Sequence, residues 1–332
     1  GVWVGHESVA DAPTLALHLN GDVLADTAGT VDALARTEAA HGLSAGEFFP
    51  FGFGPGELPA DQRPDDALAL CFDSAPLEDE VQILGAPNVR LTLSADQTHA
   101  HVVVRLCDLR PDGTSALITM GMLNLRHRSG HDVPVDVAPG ATMEVNVPLD
   151  QIAYRLPKGH RLRIAIAPSY FPFAFPSPKP VTLRVTGGAL EVPRRTGAEW
   201  SGFGPPRSAP PLLTETLAPR AESKRIITDH GARTITTEIT GDDGVYRDTT
   251  HGLETGLCVH ETFTIPMDDP GAASARFHWT RSKGRGAWQV RTECEVYQRG
   301  DGPDFAITSW IKAWEGDTLV FERTWDTRVP RG

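Results

Sequence analysis

The chain has 332 residues, enough for two domains that each bury a core of their own. Its 40% hydrophobic and 22% charged residues are the composition of a folded protein and exclude a disordered one. The 31 Lys and Arg stand against 43 Asp and Glu, a formal net charge of −12 with no basic run to offset it, which argues against nucleic acid and anionic membranes as partners.

The first residues, GVWVGHESVADAP, lack a basic stretch followed by an apolar block, so no signal peptide is expected. No apolar run approaches the roughly 20 residues that a membrane helix needs. The missing initiator Met reads as the mark of a processed product or a fragment. Val31 to His41 is the one segment whose pattern predicts a helix. Beyond it, Phe48, Phe49, Phe51 and Phe53 crowd a Gly/Pro-rich loop that resembles a phosphate loop only in composition, because no strand precedes it and no helix follows. The acidic neighbours Asp65-Asp66, Glu78-Asp79-Glu80 and Asp268-Asp269 are expected to be solvated, since adjacent carboxylates do not face one bond.

From His99 onward a period of two dominates. His99 and His101 would share one strand face, and His127 and His131 lie near Asp132. A metal site needs three or four converging ligands, so polar side chains left in water are the simpler reading and no metal is assigned. Val102, Val103, Val104 and Leu106 form a continuous apolar run, as a strand inside a sheet would. Met143/Val145/Val147/Leu149, Leu162/Ile164/Ile166 and Val181/Leu183/Val185 alternate with polar residues, the pattern of half-buried antiparallel strands. Turn signals at Pro111-Asp112-Gly113, Pro139-Gly140 and Pro157-Lys158-Gly159 separate them, which predicts an all-β sandwich or jelly roll.

Tyr170, Phe171, Phe173 and Phe175 form a second aromatic group before Pro176. Loops carry so much aromatic surface when it docks on something. Docking on another domain is the favoured reading of both groups; packing under the domain's own loops and contact with substrate are the alternatives. Five prolines between Pro193 and Pro211 then predict a linker or a surface strap. After it come Trp279, Trp288, Trp310, Trp314 and Trp325, and Trp288, Val290, Thr292, Cys294 and Val296 alternate along one strand face, so a second antiparallel β unit is expected.

Chemistry is sparse. No GxSxG elbow occurs, and Gly113-Thr-Ser115 reads as turn chemistry, so no catalytic residue is assigned. Cys71, Cys107, Cys258 and Cys294 contain no CxxC pair, which excludes a zinc ribbon or thioredoxin-like motif. Buried reduced thiols of a cytoplasmic protein are expected, with a Cys71–Cys107 disulfide left open. No cofactor is implied.

Four segments, RPDDALALCFDSAPL, ILGAPNVRLTLSAD, HVVVRLCDLRPDGTSALITMGMLNLRHR and AYRLPKGHRLRIAIAPSYFPFAFPSP, resemble in order and spacing the C-terminal jelly-roll domain of the CocE/NonD hydrolases, the family of cocaine esterase and X-Pro dipeptidyl-peptidases. IPMDDPGAASARFHW through RGAWQVRTECEV to FERTWDTRVPR is similar to a C-terminal extension of longer members. The resemblance implies a jelly-roll, galactose-binding-like β-sandwich over residues 15–188. Residues 1–14 would be the exit from a hydrolase domain, 189–216 a linker and 217–332 a second β-rich domain. It further implies an α/β-hydrolase domain, in the same polypeptide or as a split partner, that supplies a Ser-Asp-His triad for ester or amide cleavage. No residue here matches that nucleophile, acid or base. The β region would pack on the hydrolase domain and help wall its active site, with Phe48, Phe49, Phe51, Phe53, Tyr170, Phe171 and Phe173 as docking or rim residues. A homo-oligomer is compatible with this reading. The alternative is an independent carbohydrate- or ligand-binding jelly roll that uses exposed aromatics as stacking platforms.

Overall fold

The computed structural model describes residues 13–44, 61–195, 204–205 and 207–332. The chain divides into two compact units, the first ending at Gly204 and the second running from Pro205 to Arg331. In the first lie β1 (Thr14–Asn20), β2 (Val23–Ala25), β3 (Ala33–Arg36), a one-turn helix α1 (Arg63–Asp66), β4 (Leu70–Ser74), β5 (Val81–Gly85) and β6 (Asn88–Ala95). They are followed by β7 (His101–Leu109), β8 (Ser115–Asn124), β9 (Met143–Pro148), β10 (Ile152–Leu156), β11 (Arg161–Ala167) and β12 (Thr182–Pro193).

Ten of these strands make one sheet in the order β8-β7-β11-β4-β2-β1-β12-β6-β9, with β3 also on β12, while β5 and β10 pair separately. Every pairing is antiparallel except β2 with β4. The sheet turns back on itself, so that its two ends meet. The Asp150 N–H beside β9 donates to Met120 O of β8 at 3.1 Å, and a Cβ on Gly121 would stand 2.2 Å from the Pro148 carbonyl oxygen. Only glycine permits that approach. The result is β-sandwich-like, and its inward faces carry the alternating residues expected from the sequence: Val145 and Val147 of β9, Leu162, Ile164 and Ile166 of β11, Leu183 and Val185 of β12. Burying such a side chain contributes about 1.5–3 kcal/mol.

Val31–His41 is not helical. Ala33–Arg36 is a strand whose Ala35 faces Leu183 of β12, and Val31 and Ala35 enter the core two turns of alternation apart. The open side of β12 offers these residues ladder hydrogen bonds that a short, weakly patterned helix could not match.

β7 explains its own unbroken apolar run. It lies between β8 and β11, and Val102 through Asp108 are all buried. Val102, Val104 and Leu106 enter the main core, whereas Val103 joins Met120 and Tyr170 in a smaller cluster on the opposite face. Arg105 shares that second face by alternation.

The second unit contains β13 (Thr214–Ala218), β14 (Ala221–Asp229), β15 (Thr234–Asp248), β16 (Glu254–Pro266), β17 (Ser274–Arg285), β18 (Trp288–Asp301), β19 (Asp304–Glu315) and β20 (Thr318–Pro330). They form one antiparallel sheet in which β15 to β20 follow in chain order, with β13 and β14 both on β15. The register places Phe263, Ala275, Phe277, Trp279, Trp288, Cys294, Val296, Ile311, Phe321 and Trp325 on one face. Arg276, His278, Arg291, Glu293, Glu295, Trp310, Lys312 and Trp314 occupy the other, where Arg291 covers the Trp314 ring at 4.1 Å. The predicted alternation of Trp288, Val290, Thr292, Cys294 and Val296 is that of β18. Among the described residues no helix is long and apolar enough to cross a membrane.

Candidate functional site

The densest polar chemistry of the first unit sits on the outer face of β7 and its sheet neighbours β11 and β4, where α1 and the loop after β11 meet them. Arg105 leaves β7 on that face and is fully buried, and a buried guanidinium requires an anion. Asp66 at the end of α1 supplies it, 2.8 Å from Arg105 Nη1 and 3.0 Å from Nη1 of Arg163 on β11. Arg163 in turn grips Asp73 of β4 with both ends of its fork, at 2.7 and 2.8 Å. Gln62 accepts from Arg105 at 2.9 Å.

Asp65 and Asp66 were expected in solvent as an acidic pair. They are instead 1% and 7% exposed. Adjacent residues of the short helix point to two sets of donors, Asp66 to the arginines and Asp65 to the Gly42 N–H at 3.2 Å and the Tyr170 hydroxyl at 3.2 Å. Burial raises the Asp65 carboxyl above its ordinary value despite Arg105 and those two donors. The other acidic groups, Glu78-Asp79-Glu80 and Asp268-Asp269, are exposed as expected.

Tyr170 lies at the centre. Its ring is buried, meets His41 edge-on with centroids 4.9 Å apart, and lies 5.6 Å from the Arg105 guanidinium carbon. His41 donates from Nδ1 to the Ser169 carbonyl at 2.5 Å, and Nε2 has no hydrogen-bond partner. Burial, reinforced by the Arg105 charge, pulls the imidazole pKa down to about 4, so His41 is neutral near pH 7. Gly42, at φ 98°, brings this turn against the 170–171 backbone, where a Cβ would stand 2.5 Å from the Phe171 oxygen.

The described aromatic residues of the second group therefore differ in accessibility. Tyr170 and Phe171 are fully buried, Phe171 packing edge-on against Phe175 at 5.4 Å, while Phe173 is half-buried beside Tyr170 at 5.6 Å. Phe48, Phe49, Phe51 and Phe53, together with residues 1–12, lie outside the described residues.

None of this assembles a nucleophile with a base. Burial pushes the Cys71 and Cys107 thiols up to about 11 and about 12, so neither presents a thiolate at neutral pH, and all four cysteines are free. His160 Nδ1 and Asp108 stand 2.7 Å apart, the kind of pair a triad uses. The hydroxyl that joins them is that of Tyr154, which donates to Asp108 at 3.0 Å and not to the imidazole. Among the described residues no three His, Cys, Asp or Glu side chains converge as metal ligands; His127 and His131 stack on each other at 5.3 Å.

A shallow cleft on the outer face of β6, β9 and β12 is lined by residues that include His18, Arg90, Arg128, Glu144 and Asn146, with no Trp, Tyr or Phe among the described residues lining it. A stacking platform for a sugar is thus missing from it. Its arginines are already engaged, Arg90 with Glu191 at 2.7 Å and Arg128 with the Leu125 and Val135 carbonyls at 2.8 Å.

Cocaine esterase of Rhodococcus sp. (strain MB1 Bresler) is 29% identical over 116 residues, a match covering 34% of this chain and 20% of that protein. Among solved structures, an aminopeptidase from a marine sediment Thaumarchaeota archaeon superposes with a TM-score of 0.49 at 19% identity, covering 55% of this chain and 37% of that one. An α-amino acid ester hydrolase does so with a TM-score of 0.46 at 21% identity, covering 54% and 36%. The chain spans 20% of cocaine esterase and 37% and 36% of the two solved structures. The family described as the X-Pro dipeptidyl-peptidase C-terminal non-catalytic domain matches residues 7–216, well over half of the sequence, and the chain belongs to that family.

Proposed function

We propose that this chain is the β region of a CocE/NonD-type serine hydrolase, packing on an α/β-hydrolase domain and helping to wall its active site. The observation that carries the reading is the family match over residues 7–216, to a domain described as non-catalytic. The structure is consistent with it: the buried Asp66 is held by Arg105 and Arg163, and the buried Asp65 by Tyr170, as a scaffold uses such groups. The hydrolase domain would supply the nucleophile, its acid and base and the oxyanion hole for ester or amide cleavage. Phe173, half-buried on the loop after β11, is then a docking or rim residue, and the Phe48–Phe53 segment is assigned the same role. The four free thiols suit a reducing, cytoplasmic setting.

The test is direct. The purified chain is expected to resist fluorophosphonate labelling and to leave p-nitrophenyl esters intact. It is also expected to bind an α/β-hydrolase domain of a family member expressed without its own β region, more weakly once Phe173 is changed to Ser. Stoichiometric labelling of one serine in the isolated chain would overturn the reading, as would failure to bind any such domain.

A further inference from the structure

The second unit ends in two unlike sheet edges. On one side β13, of 5 residues, and β14, of 9, share the outer side of β15 and are separated by Pro219, so that edge is broken in two. On the other, β20 pairs only with β19 among the described strands and is exposed at every residue; its register slips once at Val320 and then runs regularly from Phe321 to Pro330. A long unpaired strand offers a full row of N–H and C=O groups to another strand, and natural proteins usually blunt such edges with charge or proline. Here proline comes only at the last position, and the charges Glu322, Arg323, Asp326 and Arg328 fall where they select one partner.

That partner is a second copy of this chain. We propose that the protein forms a two-fold symmetric dimer in which β20 pairs antiparallel with β20 of the other copy, centred on Trp325. In an antiparallel pair, residues directly opposite each other point to the same face, so a symmetric pairing has a limited set of registers. Centring on Arg323 sets two arginines opposite each other, centring on Thr324 sets Glu322 against Asp326 twice, and centring on Asp326 opposes two aspartates. Centring on Thr327 avoids like charges within the strand, but pairs only Thr324 to Pro330.

The register centred on Trp325 pairs Phe321 to Val329, all on the regular side of the slip at Val320, with no like charges opposed. It sets Glu322 against Arg328 twice, Thr324 against Asp326 twice, Phe321 against Val329 twice and Trp325 against itself. Phe321, Trp325 and Val329 lie on the apolar face of the sheet and are 49%, 42% and 43% exposed, so the pairing joins the apolar faces of two copies into one surface. On the polar face Glu322 of each copy would join the Arg328–Asp301 ion pair of the other. Cross-strand aromatic and opposite-charge pairs each contribute roughly 0.2–1 kcal/mol, and the main-chain ladder supplies the rest.

Light scattering on the full chain over a wide concentration range is expected to give twice the 35.9 kDa of one copy at the upper end. Arg328→Glu sets glutamates opposite each other and is expected to halve that mass. Adding Glu322→Arg to it restores the opposite-charge pairs and is expected to restore the dimer. Should Arg328→Glu fail to fold, through loss of its contact with Asp301, disulfide trapping decides. Trp325→Cys, opposite itself, is expected to cross-link on oxidation, and Phe321→Cys, opposite Val329, is not. A monomer at every concentration would overturn the proposal. So would a dimer indifferent to Arg328→Glu, or cross-linking through Phe321→Cys as readily as through Trp325→Cys.

Discussion

Arg105 shows how one residue organises its surroundings. A guanidinium on the covered face of β7 is tolerable only with Asp66 beside it, so removing Asp66 strands the Arg105 charge in a buried site, whereas removing Arg105 leaves Asp66 paired with Arg163. Asp66→Asn alone is expected to lower the unfolding free energy by about 3–5 kcal/mol in urea titration, and Arg105→Met alone by less, because Arg163 still holds Asp66. The double variant should lose less than the sum of the two, which a double-mutant cycle measures. His41 gives the site a pH dependence. Its folded pKa, about 4, lies below the ordinary 6.5, so the unfolded chain binds the proton more tightly. The stability this contributes is complete above pH 6.5 and is lost as the pH falls toward 4. Two to three pKa units correspond to about 3 kcal/mol between those limits. The raised Asp65 carboxyl acts in the opposite sense, losing stability as pH rises through its folded value, and trims the lower end of that window. Thermal melts from pH 7 to 4.5 should therefore fall more steeply for the native chain than for His41→Gln. A parallel fall in both would show that His41 does not carry the effect.

The strands were legible in the sequence wherever apolar and polar residues alternate. β9, β11, β12 and β18 each follow the alternation read from their residues. Segments whose environment is set by distant partners were not legible. Ala33–Arg36 becomes a strand because β12 has a free side to offer it, and nothing within the segment itself announces that. The Asp65-Asp66 pair looks solvated until β7 and β11 bring Arg105 and Arg163 to it from 39 and 97 residues away. One local signal did exist, an arginine inside the run Val102-Val103-Val104-Arg105-Leu106, where a charge must find a counterion. The burial of Tyr170 and Phe171 likewise depends on the turn at Gly42, whose left-handed φ and lack of a Cβ allow it to lie on the 170–171 backbone. Gly42→Ala is expected to cost about 1–3 kcal/mol, through backbone strain and the clash with the Phe171 carbonyl. Increased near-ultraviolet exposure of tyrosine would accompany the loss; an unchanged urea midpoint would show that the turn can move aside.

At the scale of the whole molecule the two units are built with very different cores. The first encloses a continuous cluster from Leu17 to Val192 between the two halves of a folded-over sheet. The second is a single sheet in which Ile235, Phe263, Ile265, Ala273 and Ala275 are the buried apolar residues among those described, while Trp279, Trp288, Phe321 and Trp325 remain 40–49% exposed. Stability follows the apolar area removed from water, so the second unit has much less to offset its chain entropy. It is therefore expected to unfold first, and the chain should not behave as a two-state system. The tryptophans allow this to be measured, because Trp279, Trp288, Trp310, Trp314 and Trp325 all belong to the second unit. In a urea titration, intrinsic tryptophan fluorescence should change at lower denaturant than amide protection of β7 and β11, whose hydrogen bonds lie inside the first core. The fluorescence midpoint should also rise with protein concentration if β20 pairs between copies, since association stabilises only the folded second unit. The protection midpoint of β7 and β11 should not move with concentration. Coincident transitions by both probes would mean that the single-layer sheet draws on burial beyond its own five core residues.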